Sequence, residues 1–270
     1  MNTKIIKGLR EVQSKYDAFF IDLWGVIHNG VQLYPDAINV LKELNKLNKR
    51  FVLISNAPRP SNSVEKYLIN LKMDKIYLKN IFTSGEAALQ TLKNNIYGKK
   101  FYHLGPKRDD DLISSFRENK TTLEKCDFIL CTGLFDEEKD SLNFYNTLLT
   151  KYKKLKMICT NPDLIVDRGE KREYCAGSVA KSFEEIKGKV IYFGKPHPPV
   201  YNLSTTIINK NILCIGDNLN TDIKGANVQN FDSLLITNGI HRKEILDLKL
   251  EEVLKKYQTK VDYIQRSLKW

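Results

Sequence analysis

Two periodicities alternate along the chain. Uninterrupted apolar runs of three or four residues, at 18–21, 51–54, 128–131, 157–159, 190–193, 212–215 and, within the strand expected over 233–237, at 234–236, fit short buried strands. Between them, apolar residues recur every three or four positions, as on one face of a helix. In 35–49 the apolar positions Ala37, Val40, Leu41, Leu44 and Leu47 share a face, and Pro35 suits a first helical turn. Strand 18–21, helix 35–49 and strand 51–54 make a βαβ unit, whose crossover should be right-handed.

The same pattern predicts helices over 61–71, 86–94, 142–155, 177–186 and 243–257, a weak one over 203–208, and an amphipathic helix over 1–16. A strand is also predicted at 101–104, and 167–174 reads as a polar loop. From 83 to 186 the chain makes its own α/β alternation, so this stretch reads as a smaller domain inserted into a larger one. The run at 190–193 should return the chain to the larger domain. The expected fold is a doubly wound, Rossmann-like parallel-sheet core, 1–82 plus 187–270, with an α/β insertion at 83–186.

Four apolar runs end in residues with chemistry. The first ends in Asp22, followed by Gly25 and the turn-forming Asn29-Gly30. The second ends in Ser55-Asn56, the third leads into Lys195, and the fourth into Asp217 and Asp222. A parallel sheet would gather these groups at the carboxyl edge of its strands, where open α/β sheets bind ligands. Carboxylates hold Mg²⁺ through oxygen. Ser55 and Lys195 can hold phosphate oxygens, and the metal and the ammonium would offset charge on a phosphoryl group in transit.

Composition narrows the partners. The 270 residues are 42% hydrophobic, enough for a full core. The net charge is +11, but the lysines are scattered over predicted helix faces, with no arginine-rich tract and no interleaved aromatic and basic strip. That speaks against nucleic acid as the main partner. The five cysteines form no CxxC pair and read as buried free thiols, which fits a cytoplasmic protein. No apolar stretch approaches the ~20 residues of a membrane span, and the N-terminus lacks the apolar core of a signal peptide.

Taken together, DLWGV at 22–26, Ser55-Asn56, Lys195 within GKPHPPVY, and GDNLNTDIKGA at 216–226 resemble the four motifs of the haloacid dehalogenase superfamily. The insertion resembles the cap of its class IIA branch, which includes nitrophenylphosphatase-like and sugar- or nucleotide-phosphate phosphatases. NPDLIVDRGE at 161–170 resembles that cap's substrate-facing loop. The resemblance implies a small phosphorylated metabolite as substrate and Mg²⁺ as cofactor. It implies Asp22 as the nucleophile that forms an aspartyl-phosphate, with Ser55 and Lys195 orienting phosphate and nucleophile. It implies phosphate contacts at Leu23, Trp24, Ser55, Asn56 and Lys195. Mg²⁺ would be held by Asp22, the Trp24 backbone carbonyl, Asp217 and Asp222. Class IIA caps sometimes mediate homodimers.

The chain departs from the pattern at one position. Phosphatases of the superfamily carry a second Asp two residues after the nucleophile, which protonates the leaving group and later activates water. Here Trp24 stands there. An indole N–H supplies no acid near neutral pH, and general acid–base catalysis is worth about 10²–10⁴-fold. Three readings stay open: another residue (His28, Asp163 or Asp167) or the substrate supplies the proton; the same nucleophile performs different chemistry; or the protein is a catalytically weak binder of phosphorylated ligands. Arg59 and Arg168 are further candidates for contact with an anionic substrate.

Overall fold

The computed structural model describes residues 3–168, 171–204 and 211–270. Strands β1 (Lys4–Ile5) and β2 (Ala18–Asp22) precede helix α1 (Pro35–Lys46), β3 (Arg50–Ser55), α2 (Ser61–Asn70) and β4 (Ile81–Thr83). Next come α3 (Ser84–Leu92), β5 (Phe101–Leu104), β6 (Phe128–Cys131), α4 (Leu142–Leu149) and β7 (Lys156–Cys159). The hairpin β8 (Ile165–Arg168) and β9 (Lys171–Tyr174) leads to α5 (Ala176–Glu185) and β10 (Lys189–Tyr192). Then follow α6 (Pro198–Ser204), β11 (Ile212–Gly216), α7 (Lys224–Gln229), β12 (Asp232–Ile236), α8 (Arg242–Asp247), α9 (Leu250–Tyr257) and β13 (Tyr263–Gln265).

These elements form two compact units. The first comprises Met1–Ser55, Glu65–Phe82 and Lys195–Trp270, and the second Asn56–Val64 and Thr83–Gly194. The first unit is built on a seven-stranded sheet in the order β1-β13-β12-β11-β2-β3-β4. From β1 to β3 every pairing is parallel. All five residues of β2 are buried, as a strand covered on both faces requires, hence its unbroken apolar run. On α1, Ala37, Val40, Leu41 and Leu44 are buried and Pro35 opens the helix as expected. Leu47 ends the helix and is exposed. Beneath α9, Val253 joins Leu219, Ile223, Leu235, Val261 and Ile264 in a core.

The second unit has a four-stranded sheet, β10-β7-β6-β5, parallel throughout. Tyr145 and Leu149 of α4 and Val179 and Phe183 of α5 pack on Ile129 and Met157 of its strands.

Several local expectations give way to long-range pairing. The strand at 190–193 does not return to the larger sheet. It forms as β10 and pairs with β7, Val190 opposite Met157 and Ile191 opposite Ile158. The N-terminal segment is not a helix: Lys4–Ile5 pairs with Tyr263 and Ile264, and short 3₁₀ turns follow. Of the stretch 167–174 expected as a polar loop, 167–168 and 171–174 belong to the antiparallel strands β8 and β9, with Asp167 opposite Arg172, and 169–170 lie outside the described residues. The single helix expected over 243–257 is two, α8 and α9. Of the helix expected at 203–208, only its start is described, as the end of α6; the rest lies outside the described residues.

Candidate active site

β2 lies between β11 and β3, so the chain crosses from β2 to one side and later returns to the other. Such a switch point leaves a crevice at the carboxyl ends of its strands. Asp22 is the last residue of β2, Ser55 the last of β3, and Asp217 directly follows β11. Register places Asp22 opposite Ile54 and Ile21 opposite Ile215, which brings these ends level.

Lys195 enters from the loop before α6 and is 2% exposed. Its ammonium donates to Asp22 Oδ1, to Asp222 Oδ1 at 2.6 Å and to the Ile54 carbonyl at 3.2 Å. The three acceptors lie at the end of β2, at the end of β3 and in the loop after β11. The lysine is therefore fixed between the strand end that carries Asp22 and the loop that carries Asp222.

Asp22, Asp217 and Asp222 offer carboxylate oxygens that all lie within 4.8 Å of one another, and all three residues are buried. Three carboxylates against one ammonium leave an excess of two negative charges when all are ionised. Burial, and after it the charges of Asp22 and Asp222, push the Asp217 carboxyl well above its ordinary value. A buried oxygen-donor set with that uncompensated charge fits a hard divalent cation such as Mg²⁺.

The backbone is shaped around Asp217. The Ile240 N–H donates to its Oδ2 at 2.8 Å. Gly25 adopts φ +88°, and a Cβ there would stand 2.2 Å from Asp217 Oδ2. A Cβ on Gly239 would come within 2.1 Å of the same atom. The turn after Asp22 and the loop after β12 thus both approach the carboxylate too closely for any side chain. Within the loop after β11, Asn218 N–H donates to Asp222 Oδ2 at 3.1 Å, and Asn218 Oδ1 accepts from Asn220 N–H at 2.9 Å. The Asn218 side chain and backbone thus brace the loop.

Trp24 is half-buried. Its ring meets His28 edge-on, with centroids 5.0 Å apart, and lies against Gly30, φ +84°. His28 is buried rather than a solvated turn residue. Its Nδ1 accepts from the Gly30 N–H at 2.9 Å, so the ring in this geometry carries its proton on Nε2. Leu23 is buried beside it in the chain.

The remaining candidates lie in the second unit and are engaged there. Asn56 donates from Nδ2 to Asp163 Oδ1 at 3.1 Å. Asp167 pairs with Arg172 across the hairpin, Nε to Oδ1 at 2.8 Å. Arg168 faces Glu173 at 3.5 Å, and Arg59 Nε donates to the buried Asp109 at 3.1 Å. Burial raises the Asp109 carboxyl and Arg59 opposes that shift. The sequence alone singles out no functional residue at 239–241, because the approach of this loop to Asp217 is not local information.

Known proteins give these observations a family. A model described as haloacid dehalogenase-like hydrolase matches residues 19–117, and a second, HAD-hydrolase-like, matches 192–269. The chain is 22% identical to a 5'-nucleotidase of Bacillus subtilis over 85% of this chain and 90% of that one. It is 24% identical to a 4-nitrophenylphosphatase of Schizosaccharomyces pombe, over 88% and 89%. The crystal structure of a haloacid dehalogenase-like hydrolase from Brucella suis superposes with a TM-score of 0.86 at 27% identity, covering 98% of this chain and all of that one. Asp22 falls within the first matched stretch and Lys195, Asp217 and Asp222 within the second, and on this ground the chain belongs to the haloacid dehalogenase-like hydrolases.

Proposed function

We propose that the protein is a Mg²⁺-dependent hydrolase of phosphoric monoesters, acting on a small phosphorylated metabolite through an aspartyl-phosphate on Asp22. The observation that carries this reading is the buried Lys195 joining Asp22 and Asp222 beside Asp217. The relatives' names, a 5'-nucleotidase and a 4-nitrophenylphosphatase, support the substrate class. The five free, buried cysteines support work in the cytoplasm.

In this mechanism an Asp22 oxygen attacks phosphorus as the bond from phosphorus to the leaving oxygen breaks. The leaving oxygen departs with the electron pair. Water then attacks the phosphoryl group and frees Asp22 and inorganic phosphate. Lys195 holds Asp22 in place and, with Ser55, orients the phosphate. Backbone groups around Leu23 and Trp24, and Asn56 beside Ser55, complete the phosphate contacts. Mg²⁺, bound by Asp22, Asp217, Asp222 and the Trp24 carbonyl, would offset the charge of the transferring group. The chain 1–82 plus 187–270 acts as the catalytic core and 83–186 as the cap that selects the substrate, with 56–64 and β10 the parts of that division to be redrawn.

Trp24 favours a second reading. With indole where the superfamily's phosphatases carry an acid, leaving groups that need a proton should react slowly, and the protein then serves as a weak or silent binder of phosphorylated ligands. Phosphate release with Mg²⁺ from acyl, aryl, sugar and nucleotide phosphates separates the two. Turnover by the wild type that Asp22→Asn abolishes supports the hydrolase. Binding without turnover on the whole panel supports the second reading.

A further inference from the structure

The loop that carries Asp217 and Asp222 is braced from outside by a side chain that the proposed mechanism does not use. His241 directly precedes α8 and is 8% exposed. Its Nδ1 faces Glu244 Oε2 at 3.3 Å and its Nε2 faces Asn218 Oδ1 at 3.4 Å. Asn218 Oδ1 also accepts the Asn220 N–H, which fixes that atom as the oxygen. Glu244 is a carboxylate acceptor: burial works against its charge, but hydrogen bonds from Lys256, Tyr257 and His241 hold it below its ordinary value. Both ring nitrogens of His241 therefore face oxygen acceptors, one on α8 and one on the loop. The ring is also held edge-on against Tyr257, with centroids 4.7 Å apart.

We infer that His241 is a positioning residue of the cation site, clamping Asn218 to Glu244 so that the loop 217–222 presents Asp217 and Asp222 together. The path is short. Asn218 follows Asp217 and gives its own N–H to Asp222 Oδ2. Ile240, next to His241, gives its N–H to Asp217 Oδ2. One side chain thus ties α8 to the loop at the point where both carboxylates are oriented. Such outer contacts matter because a carboxylate free to swing loses part of its affinity in ordering; their removal typically weakens metal binding by about 10–100-fold.

This inference rests on the proposed Mg²⁺ site, and the test separates the two. Mg²⁺ binding to the full chain is measured by calorimetry for wild type, His241→Phe and His241→Gln, with thermal midpoints in EDTA. His241→Phe keeps a ring against Tyr257 and removes both ring nitrogens. His241→Gln keeps an N–H that can reach Asn218. Affinity should fall about 10-fold or more in His241→Phe and less than about 3-fold in His241→Gln, with kcat recovering at saturating Mg²⁺. Wild-type affinity in His241→Phe overturns the inference and leaves the Mg²⁺ site standing. A wild type that binds no Mg²⁺ overturns both. If His241→Phe does not fold, His241→Asn, too short to reach Asn218, takes its place, and wild-type affinity there is equally fatal.

Discussion

Lys195 Nζ lies 2.6 Å from Asp222 Oδ1, with side chains only 3% and 4% exposed. The same ammonium contacts Asp22, so one buried cation separates two buried anions. Removing it leaves carboxylates facing one another without a counter-charge, a change that costs about 3–5 kcal/mol in buried pairs. Lys195→Met should lose stability of that order in urea unfolding at neutral pH in EDTA. Added Mg²⁺ should recover part of the loss, because a cation can take over the screening. Unchanged stability in Lys195→Met would remove the lysine from this role.

Asp217 gives the metal-free protein a pH dependence of definite sign. Its carboxyl is raised well above the ordinary 3.8, by burial first and then by Asp22 and Asp222. A carboxyl raised in the folded state favours folding below the unfolded carboxylate range and withdraws that contribution as pH climbs through its folded value. In EDTA the thermal midpoint should therefore fall as pH rises above about 4 toward neutrality. Mg²⁺ holds Asp217 ionised, so saturating cation should flatten the slope and raise the neutral-pH midpoint; at 100 times Kd the gain is about 2.7 kcal/mol. Calorimetric scans from pH 4 to 8, with and without Mg²⁺, measure both effects. A midpoint rising with pH in EDTA and indifferent to Mg²⁺ would contradict them.

Gly25 joins two demands at one position: φ +88° and a Cβ site 2.2 Å from Asp217 Oδ2. Gly25→Ala should cost about 1–3 kcal/mol of backbone strain. Because the clashing atom is a carboxylate oxygen, metal binding should suffer as well, by about 10-fold or more. Equilibrium unfolding and Mg²⁺ titration of the same variant check the pair. A variant that loses stability but binds Mg²⁺ normally would mean that the turn, and not Asp217, sets the need for glycine.

What could be read from the chain follows from how far each signal reaches. β2 and β11 are buried throughout and β3 over most of its length, so their apolar runs announced them, and their ends marked Asp22, Ser55 and, one residue beyond β11, Asp217. Parallel pairing then made their convergence a matter of topology. The run at 190–193 announced a strand equally well, but not its partner; pairing with β7 is decided by residues 156–159. At 1–16 the helical spacing was present, yet Lys4 and Ile5 pair near the opposite end of the chain, and a Cβ on Gly8 would stand 2.0 Å from the Trp270 carbonyl oxygen. The strand pair 165–168 and 171–174 was hidden because its charged side chains pair across strands, as Asp167 does with Arg172. His241 was missed for the same reason: its partners Asn218 and Tyr257 are 23 and 16 positions away.

Trp24 decides how far the proposed hydrolysis can go. The ring packs edge-on to His28 and against Gly30, and the Nδ1 of His28 is occupied by the Gly30 N–H. No carboxylic acid stands two positions after Asp22. The wild type should therefore favour substrates whose leaving group departs unprotonated, such as acyl or aryl phosphates, over sugar phosphates whose alkoxide needs a proton. Trp24→Asp should raise kcat for a sugar phosphate by about 10²-fold or more and change that for an aryl phosphate far less, the signature of a restored general acid. The exchange forfeits part of the Trp24 packing, on the order of 1–2 kcal/mol, so rates are compared well below the variant's thermal midpoint. Equal gains on both substrates would point to a changed pocket rather than a proton. No gain on the sugar phosphate, with the fold intact, would place the acid elsewhere in the chain or on the substrate itself.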